Sequence, residues 1–212
     1  MQPIVWYAII SDGTVEEARE YAKPLHELGP INVNADAVPM PELAQVTLMG
    51  EDTVACAKGS TSLRYPIGLK SYNPPAVRKV YDSITEISHR VPELAGSFFL
   101  LEGYSTQGVK AVDAAKSAFP HRDDEILVTS VIQYKPNATL DALAQEHGRN
   151  LRGLLLEASD EPEHLSAYVN YAHGDERLED MYGHEAWRIE KLRKLKKKWD
   201  PENRMRFYAP IV

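Results

Sequence analysis

Glu125-Ile-Leu-Val-Thr-Ser-Val-Ile-Gln-Tyr134 decides the fold. It is rich in β-branched residues, free of glycine and proline, and reads as a strand because such side chains suit a pleated surface. Downstream, Thr139 to Ala158 is a long helix with Leu140, Leu143, His147, Leu151, Leu154 and Leu155 toward one side. Upstream, Ser97 to Ser105 (SFFLLEGYS) is a second strand, and Val109 to Ala118 a short helix or helical turn. Before these, Asn73 ahead of Pro74-Pro75 starts a helix whose apolar stripe is Val77, Val80, Tyr81, Ile84 and Ile87. At the N-terminal end, Ile4 to Ile10 reads as a strand. Thr14 and Glu17 then form a capping box for a helix with Val15, Ala18, Ala22 and Leu25 inward, stopped by Gly29-Pro30. Residues 31 to 72, with Pro39, Pro41, Gly50, Gly59 and Pro66, read as loops, short strands and one turn of helix. Ser166 to His173 (SAYVNYAH) reads as a short strand, and Gly183 to Trp199 as a final helix before Asp200-Pro201. Strands separated by helices predict an α+β architecture, a mostly antiparallel sheet with helices packed on one face. With no repeat and no Ser/Gly linker, one compact unit over 1–212 is the simplest organisation, divided only into 1–164 and a C-terminal segment, 165–212.

The chain has 212 residues, 43% of them apolar, and 24 Lys plus Arg against 31 Asp plus Glu, a net charge of −7. That is the composition of a globular chain able to bury its own core. An acidic balance argues against nucleic acid as a partner, because phosphate neutralisation supplies most of such affinity. The apolar runs fall far short of the ~20 residues that cross a bilayer, and Met-Gln-Pro leading into Ile-Val-Trp-Tyr has no cationic start, so a cytoplasmic location is expected. The single Cys56 is expected to be a buried, inert thiol. Seven scattered histidines without His-Glu-x-x-His spacing predict no metal site. Glycine-rich phosphate cradles and the Gly-x-Ser-x-Gly elbow are absent. The run Lys191, Arg193, Lys194, Lys196, Lys197 and Lys198 is interrupted by Ile189, Leu192, Leu195 and Trp199. It is therefore expected to be the solvated side of a helix with one apolar face.

Three stretches carry groups able to do chemistry. On a strand, Tyr168 and Asn170 point to one face, and Val169, Tyr171 and His173 to the other. A phenol beside an imidazole can act as a proton donor and acceptor pair, although a hydrogen-bonded corner explains the same residues. Alternation places Glu102 in line with Phe98, Leu100 and Tyr104, where a carboxyl group can serve as a general acid or simply pair with a cation. Ser130 shares a face with Val128 and Ile132, suiting a buried hydroxyl or a pocket wall. These residues give Tyr171, His173 and Glu102 as candidate catalytic groups, and Tyr104, Ser130, Tyr168 and Asn170 as candidate substrate contacts.

The C-terminal residues carry a resemblance. Tyr168-Val-Asn-Tyr171, Tyr182-Gly183, Arg188, the Leu192/Lys196 stretch, Trp199-Asp200-Pro201-Glu-Asn203-Arg-Met-Arg-Phe207 and the closing Ala-Pro-Ile resemble the terminal segment of berberine-bridge-enzyme-like flavin oxidases. Ala118-Phe-Pro-His-Arg122, after the Glu102 strand, is similar to that family's substrate domain. The resemblance implies a substrate-binding portion plus C-terminal tail, without the N-terminal part that holds FAD, so no cofactor is expected in this chain unless another chain supplies the flavin domain. It also implies Tyr171 as an active-site base, with His173 at a position that is acidic in the family. Ser130 stands at a strand position often Gln or Glu, Ser105-Thr106 replaces Gly-Gly, and Tyr208-Ala209 replaces Gln-Ser.

The leading expectation is a flavin-independent cyclase, isomerase or pericyclase that folds a small, largely apolar metabolite by shape and acid/base catalysis. The alternatives are the substrate-binding part of an FAD-dependent oxidase, and a non-catalytic ligand-binding protein. The expected partners are a small-molecule substrate and either a second copy or a flavin-domain partner covering an exposed apolar face.

Overall fold

A computed structural model describes residues 3–47, 49–51 and 58–212. Cys56 lies outside the described residues. The chain divides into two compact units, Met1–Gly59 and Ser60–Val212, the boundary falling within the region read from sequence as loops. No helix among the described residues is long and apolar enough to cross a membrane.

The first unit contains helix α1, Val15–His26, a 3₁₀ turn, Met40–Glu42, and the single-turn helix α2, Leu43–Val46. The capping box forms as read: Glu17 N–H donates to Thr14 Oγ1 at 3.2 Å, and Thr14 N–H donates to Glu17 Oε2 at 2.8 Å. Ile4 to Ile10 is not a strand, and Ile4, Val5 and Ile10 are exposed. Among the described residues this unit supplies no second strand, and a lone extended segment has no partner for its backbone groups.

The second unit holds the sheet. Strand β1 spans Thr61–Leu69, and helix α3, Pro74–Arg90, follows, with the Asn73 side chain accepting from Ala76 N–H at 3.1 Å. Strand β2, Phe98–Gly103, leads through the short helix α4, Gln107–Lys110, and a 3₁₀ turn, Ala114–Lys116, to strand β3, Ile126–Tyr134. Helix α5, Ala138–Leu156, then crosses the sheet, and α6, Leu178–Tyr182, and α7, Ala186–Trp199, end the chain's regular structure. The sheet order is β1-β3-β2, antiparallel throughout, with Tyr65, Ser130 and Phe99 in register across it. The sequence reading placed β1 within a region of loops, short strands and one helical turn without bounding it, and both Pro66 and Gly68 fall inside it. An edge strand tolerates both, since proline there forfeits no ladder bond that a central strand would need.

Alternation along the strands gives the sheet two different faces. Tyr65, Ile67, Leu69, Val128, Ile132 and Tyr134 join Val80, Ile84, Leu151 and Leu155 of α3 and α5 in one core. The other face presents Arg64, Thr129 and Glu102. This is the α+β arrangement with helices on one face. Close approach of α5 to β1 depends on Gly148, where an added Cβ would lie 2.0 Å from the Tyr65 ring.

Two readings of the C-terminal region are corrected. Ser166 to His173 is not a strand. A ladder with β1 begins where Gly68 N–H donates to Ser166 O at 2.8 Å, but Ala167 N–H donates to Asp180 O instead, and Val169–Tyr171 coils into a 3₁₀ turn. Local bonding competes with the ladder here, since Tyr171 N–H donates to Tyr168 O at 2.9 Å and Ala172 N–H to Val169 O at 3.2 Å. Nor is the apolar face of α7 a buried one. Ile189 is buried, while Leu195 and Trp199 are 43% and 74% exposed. Lys191, Arg193, Lys194, Lys197 and Lys198 are exposed, as read.

Candidate functional site

The 3₁₀ turn at Val169–Tyr171 hangs beside β1 and swings Tyr171 over the face of the sheet that lacks helices. There the Tyr171 hydroxyl lies 3.4 Å from Glu102 Oε1, an atom that also accepts from the Tyr104 hydroxyl at 2.8 Å. Glu102 Oε2 is buried and has no hydrogen-bond donor among the described residues. The Tyr168 ring meets Tyr171 edge-on with centroids 5.5 Å apart, and Asn170 holds the Tyr168 hydroxyl. The guanidinium of Arg64 sits 5.5 Å from the Tyr171 ring centroid. Tyr208 fastens the turn from the chain's tail, its hydroxyl donating to Val169 O at 2.7 Å, with Ala172 O at 3.2 Å.

Electrostatics keep these phenols protonated. Burial, followed by the bond to Glu102, pushes Tyr104 up to about 12. Burial also raises Tyr171, with the Glu102 charge adding to it. Glu102 is thus an acceptor for two phenols, with one oxygen left to accept from something else.

The structure therefore brings Tyr171, Glu102, Tyr104, Tyr168 and Asn170 into one connected cluster. His173 borders the same groove as Tyr171, but its ring is engaged elsewhere. It stacks on Tyr65 at 4.3 Å, with Nε2 3.1 Å from the Tyr65 hydroxyl. Its backbone N–H donates to Glu176, which Arg152 pairs at 2.7 Å, while Asp175 bridges Arg152 and Arg149 at 3.0 Å each. Ser130 is not with the cluster. It is 1% exposed on the helix-covered side, in register between Tyr65 and Phe99. Arg64 and Tyr208 were missed as site residues. Reading 61–69 as a strand would have aligned Arg64 with Ser62 and Pro66 on one face, whereas the folding back of Tyr208 leaves no local signal.

A second polar cluster ties the same segment to the sheet. The Ser166 hydroxyl lies 2.7 Å from His121 Nδ1 and 2.5 Å from Asp124 Oδ2, and His121 Nε2 is 3.1 Å from Met181 O. Burial holds the His121 imidazole below its ordinary value and lifts the Asp124 carboxyl above its own. The hydroxyl stands between acid and imidazole, whereas a nucleophilic triad needs the imidazole in the middle. This cluster is a clasp at the start of the Tyr171 segment. No group of three or more potential metal ligands is gathered among the described residues.

The family model described as "Berberine and berberine like" matches residues 167–211, the stretch that forms the Tyr171 turn, α6, α7 and the tail. Over nearly the whole chain, "FAD-linked oxidoreductase anuG" of Penicillium roqueforti is 40% identical across 211 residues, covering 100% of this chain and 41% of the relative. The C-terminal stretch of the chain is thus that of the berberine-bridge-like family. A second relative, "FAD-linked oxidoreductase chyH" of Penicillium rubens, is 38% identical over 212 residues, with 99% and 42% coverage. The chain thus spans about two fifths of the length of the curated relatives it matches. The fold agrees with berberine bridge enzyme from Eschscholzia californica at a TM-score of 0.71 and 15% identity, covering 94% of this chain and 44% of that one. The carbohydrate oxidase from Microdochium nivale gives 0.65 at 23% identity, with 94% and 43% coverage. These show that the chain shares its fold with part of each of those two oxidases.

FAD brings a diphosphate, which backbone N–H groups or cations must cradle. The Tyr171 cluster offers one carboxylate and several phenols around an unfilled acceptor, Glu102 Oε2, and that donor set does not fit a diphosphate. It fits a molecule presenting an O–H or N–H group.

Proposed function

We propose that this chain is the substrate-binding portion of an FAD-linked oxidoreductase, with the flavin held by residues outside these 212. The observation that carries the reading is the convergence of Tyr171 and Tyr104 on Glu102, whose Oε2 has no donor among the described residues. A substrate hydroxyl or amine held beside the Tyr171 hydroxyl would have the Glu102 carboxylate as its nearby proton acceptor. Tyr168 and Asn170 set the position of Tyr171, and His173 positions the turn through Tyr65 rather than touching substrate. The exposed apolar residues Ile4, Val5, Trp6, Leu195 and Trp199 are surfaces that the rest of an oxidase would cover. The cofactor-free cyclase, isomerase or pericyclase reading draws no support from the relatives named above, which are FAD-linked oxidoreductases by name.

The test joins this chain to the part of the Penicillium roqueforti relative that it does not match and follows anaerobic bleaching of bound flavin with a panel of hydroxyl-bearing substrates. Tyr171→Phe is expected to slow bleaching by about 10²-fold, the lower end of what a positioned proton-transfer group supplies, with flavin content unchanged. A flavin-loaded assembly indifferent to both Tyr171→Phe and Glu102→Gln would remove the reading.

A further inference from the structure

Beside Tyr171 the sheet face opens into a groove of about 360 Å³ at the β1 edge, bordered by Ser62, Arg64, Asn170, Tyr171, His173 and Tyr208. We infer that this groove binds a ring compound bearing a carboxylate, with Arg64 holding the carboxylate and the Tyr171 and Tyr208 rings flanking the ring. The inference deepens the proposed function and rests on it for the identification of the groove as a substrate site.

The argument begins with a cation that has no counter-ion. Arg149 and Arg152 are each paired with Asp175, and Arg152 also with Glu176. Arg64, by contrast, has no carboxylate within ion-pair distance among the described residues, and its guanidinium rests on the Tyr171 ring instead. Arg19, Arg122 and Arg206 likewise lack a carboxylate partner among the described residues, but Arg64 is the arginine that lines the groove, its guanidinium 5.5 Å from the Tyr171 ring centroid. The guanidinium presents its N–H donors as a planar fork, which matches the two oxygens of a carboxylate better than any neutral group.

The remaining walls choose the rest of the ligand. Two phenol rings, Tyr171 and Tyr208, border the groove, offering flat faces suited to stacking on a ring. A single cation without a backbone N–H cradle suits a monoanion rather than a phosphate dianion. The volume admits a small molecule. A ligand anchored at Arg64 lies along the Tyr171 ring, which lines the same groove. The substrate class is therefore a ring carboxylate.

The probes are benzoate, methyl benzoate and phenyl phosphate, titrated calorimetrically into the 212-residue chain at low ionic strength. Benzoate is expected to bind saturably, at least tenfold tighter than its methyl ester and tighter than phenyl phosphate, and to weaken with added salt. Arg64→Gln is expected to lose benzoate affinity at least tenfold while leaving the ester unchanged, and Arg64→Lys to restore part of it. Arg64 is exposed, so the melting temperature of these variants is expected to match the parent, which separates lost binding from lost folding. The inference is overturned if benzoate shows no saturable binding, if acid and ester bind equally, if phenyl phosphate binds tightest, or if Arg64→Gln leaves benzoate affinity intact. Arg64-dependent benzoate binding together with flavin bleaching that ignores Tyr171 and Glu102 would uphold the inference and sink the oxidoreductase reading. Tyr171-dependent bleaching without benzoate selectivity would do the reverse.

Discussion

Tyr171 and Glu102 lie 69 residues apart in sequence and meet on the sheet face that lacks helices, hydroxyl to Oε1 at 3.4 Å. The Oε1 of Glu102 accepts from two phenols, and its Oε2 has no donor among the described residues. Glu102→Gln replaces that open acceptor by an amide while keeping the shape. In the assembled oxidase it is expected to lower kcat/KM by about 10²-fold, in the range for a proton-transfer group. The melting temperature should stay within a degree or two of the parent, because Glu102 carries no ion pair among the described residues. A fall in kcat/KM matched by an equal loss of folded protein would assign Glu102 to structure.

Gly148 tests the helix-covered face. It stands where α5 crosses β1, and a Cβ there would enter the Tyr65 ring at 2.0 Å. Tyr65 is fully buried, stacked on His173 and under the Arg152 guanidinium, so it has no room to retreat. Alanine normally strengthens a helix relative to glycine. Overpacking wins at this position, and Gly148→Ala is expected to lower unfolding free energy by about 1–3 kcal/mol, read as a drop in the denaturant midpoint. Because Tyr65 also holds His173, the same variant should loosen the Tyr171 turn, seen as faster amide exchange at Tyr171.

The long helices were legible because their signals are local. Asn73 and Asn137 cap α3 and α5, and the apolar stripes lie at helical spacing. The β3 strand was legible from its composition, and the placement of Glu102 with Tyr104 from simple alternation. The Tyr171 turn was not, because Tyr, Val and Tyr favour a strand, while the backbone here bonds locally and Ala167 N–H bonds to Asp180 O, 13 residues on. Nor could local pattern reveal that Ser130 faces helices while Glu102 faces away from them. Strand pairing sets that relation, with Ser130 opposite Phe99 and Leu127 opposite Glu102. Arg64 was hidden by Pro66, whose tolerance depends on β1 being an edge.

Alkaline titration reads the buried phenols. Burial lifts Tyr65 to about 12, and burial with donation to Asp141 at 2.7 Å lifts Tyr134 to about 12. An unfolded tyrosine ionises near 10.0. The folded chain therefore keeps protons that the unfolded chain loses between about 10 and 12. The stability these groups contribute is whole below about pH 10 and is lost as pH rises through about 12. Tyrosinate absorbance should show a late class that ionises together with loss of circular dichroism, and Tyr134→Phe should remove one member of it. Uniform titration of all the tyrosines near pH 10, in a chain still folded, would contradict these raised values.

Arg188 is the buried cation of the C-terminal segment, 2% exposed, on a helix whose other cations except Lys196 are exposed. Its guanidinium donates to Ala114 O at 2.9 Å and Ser117 O at 2.7 Å, and pairs with Glu185 at 3.3 Å. It thus ties α7 to the loop between β2 and β3. Burying an arginine is costly unless its donors are met, and here backbone carbonyls meet them. Removal leaves those carbonyls without a donor, at about 1–3 kcal/mol for each that water fails to reach. Arg188→Met, which keeps much of the side chain's length, is expected to cost about 2 kcal/mol or more. Lys194→Met, on the solvated side of the same helix, should change stability by less than about 0.5 kcal/mol. Equal effects of the two substitutions in chemical denaturation would mean that α7 is held by its apolar contacts and not by the Arg188 anchor.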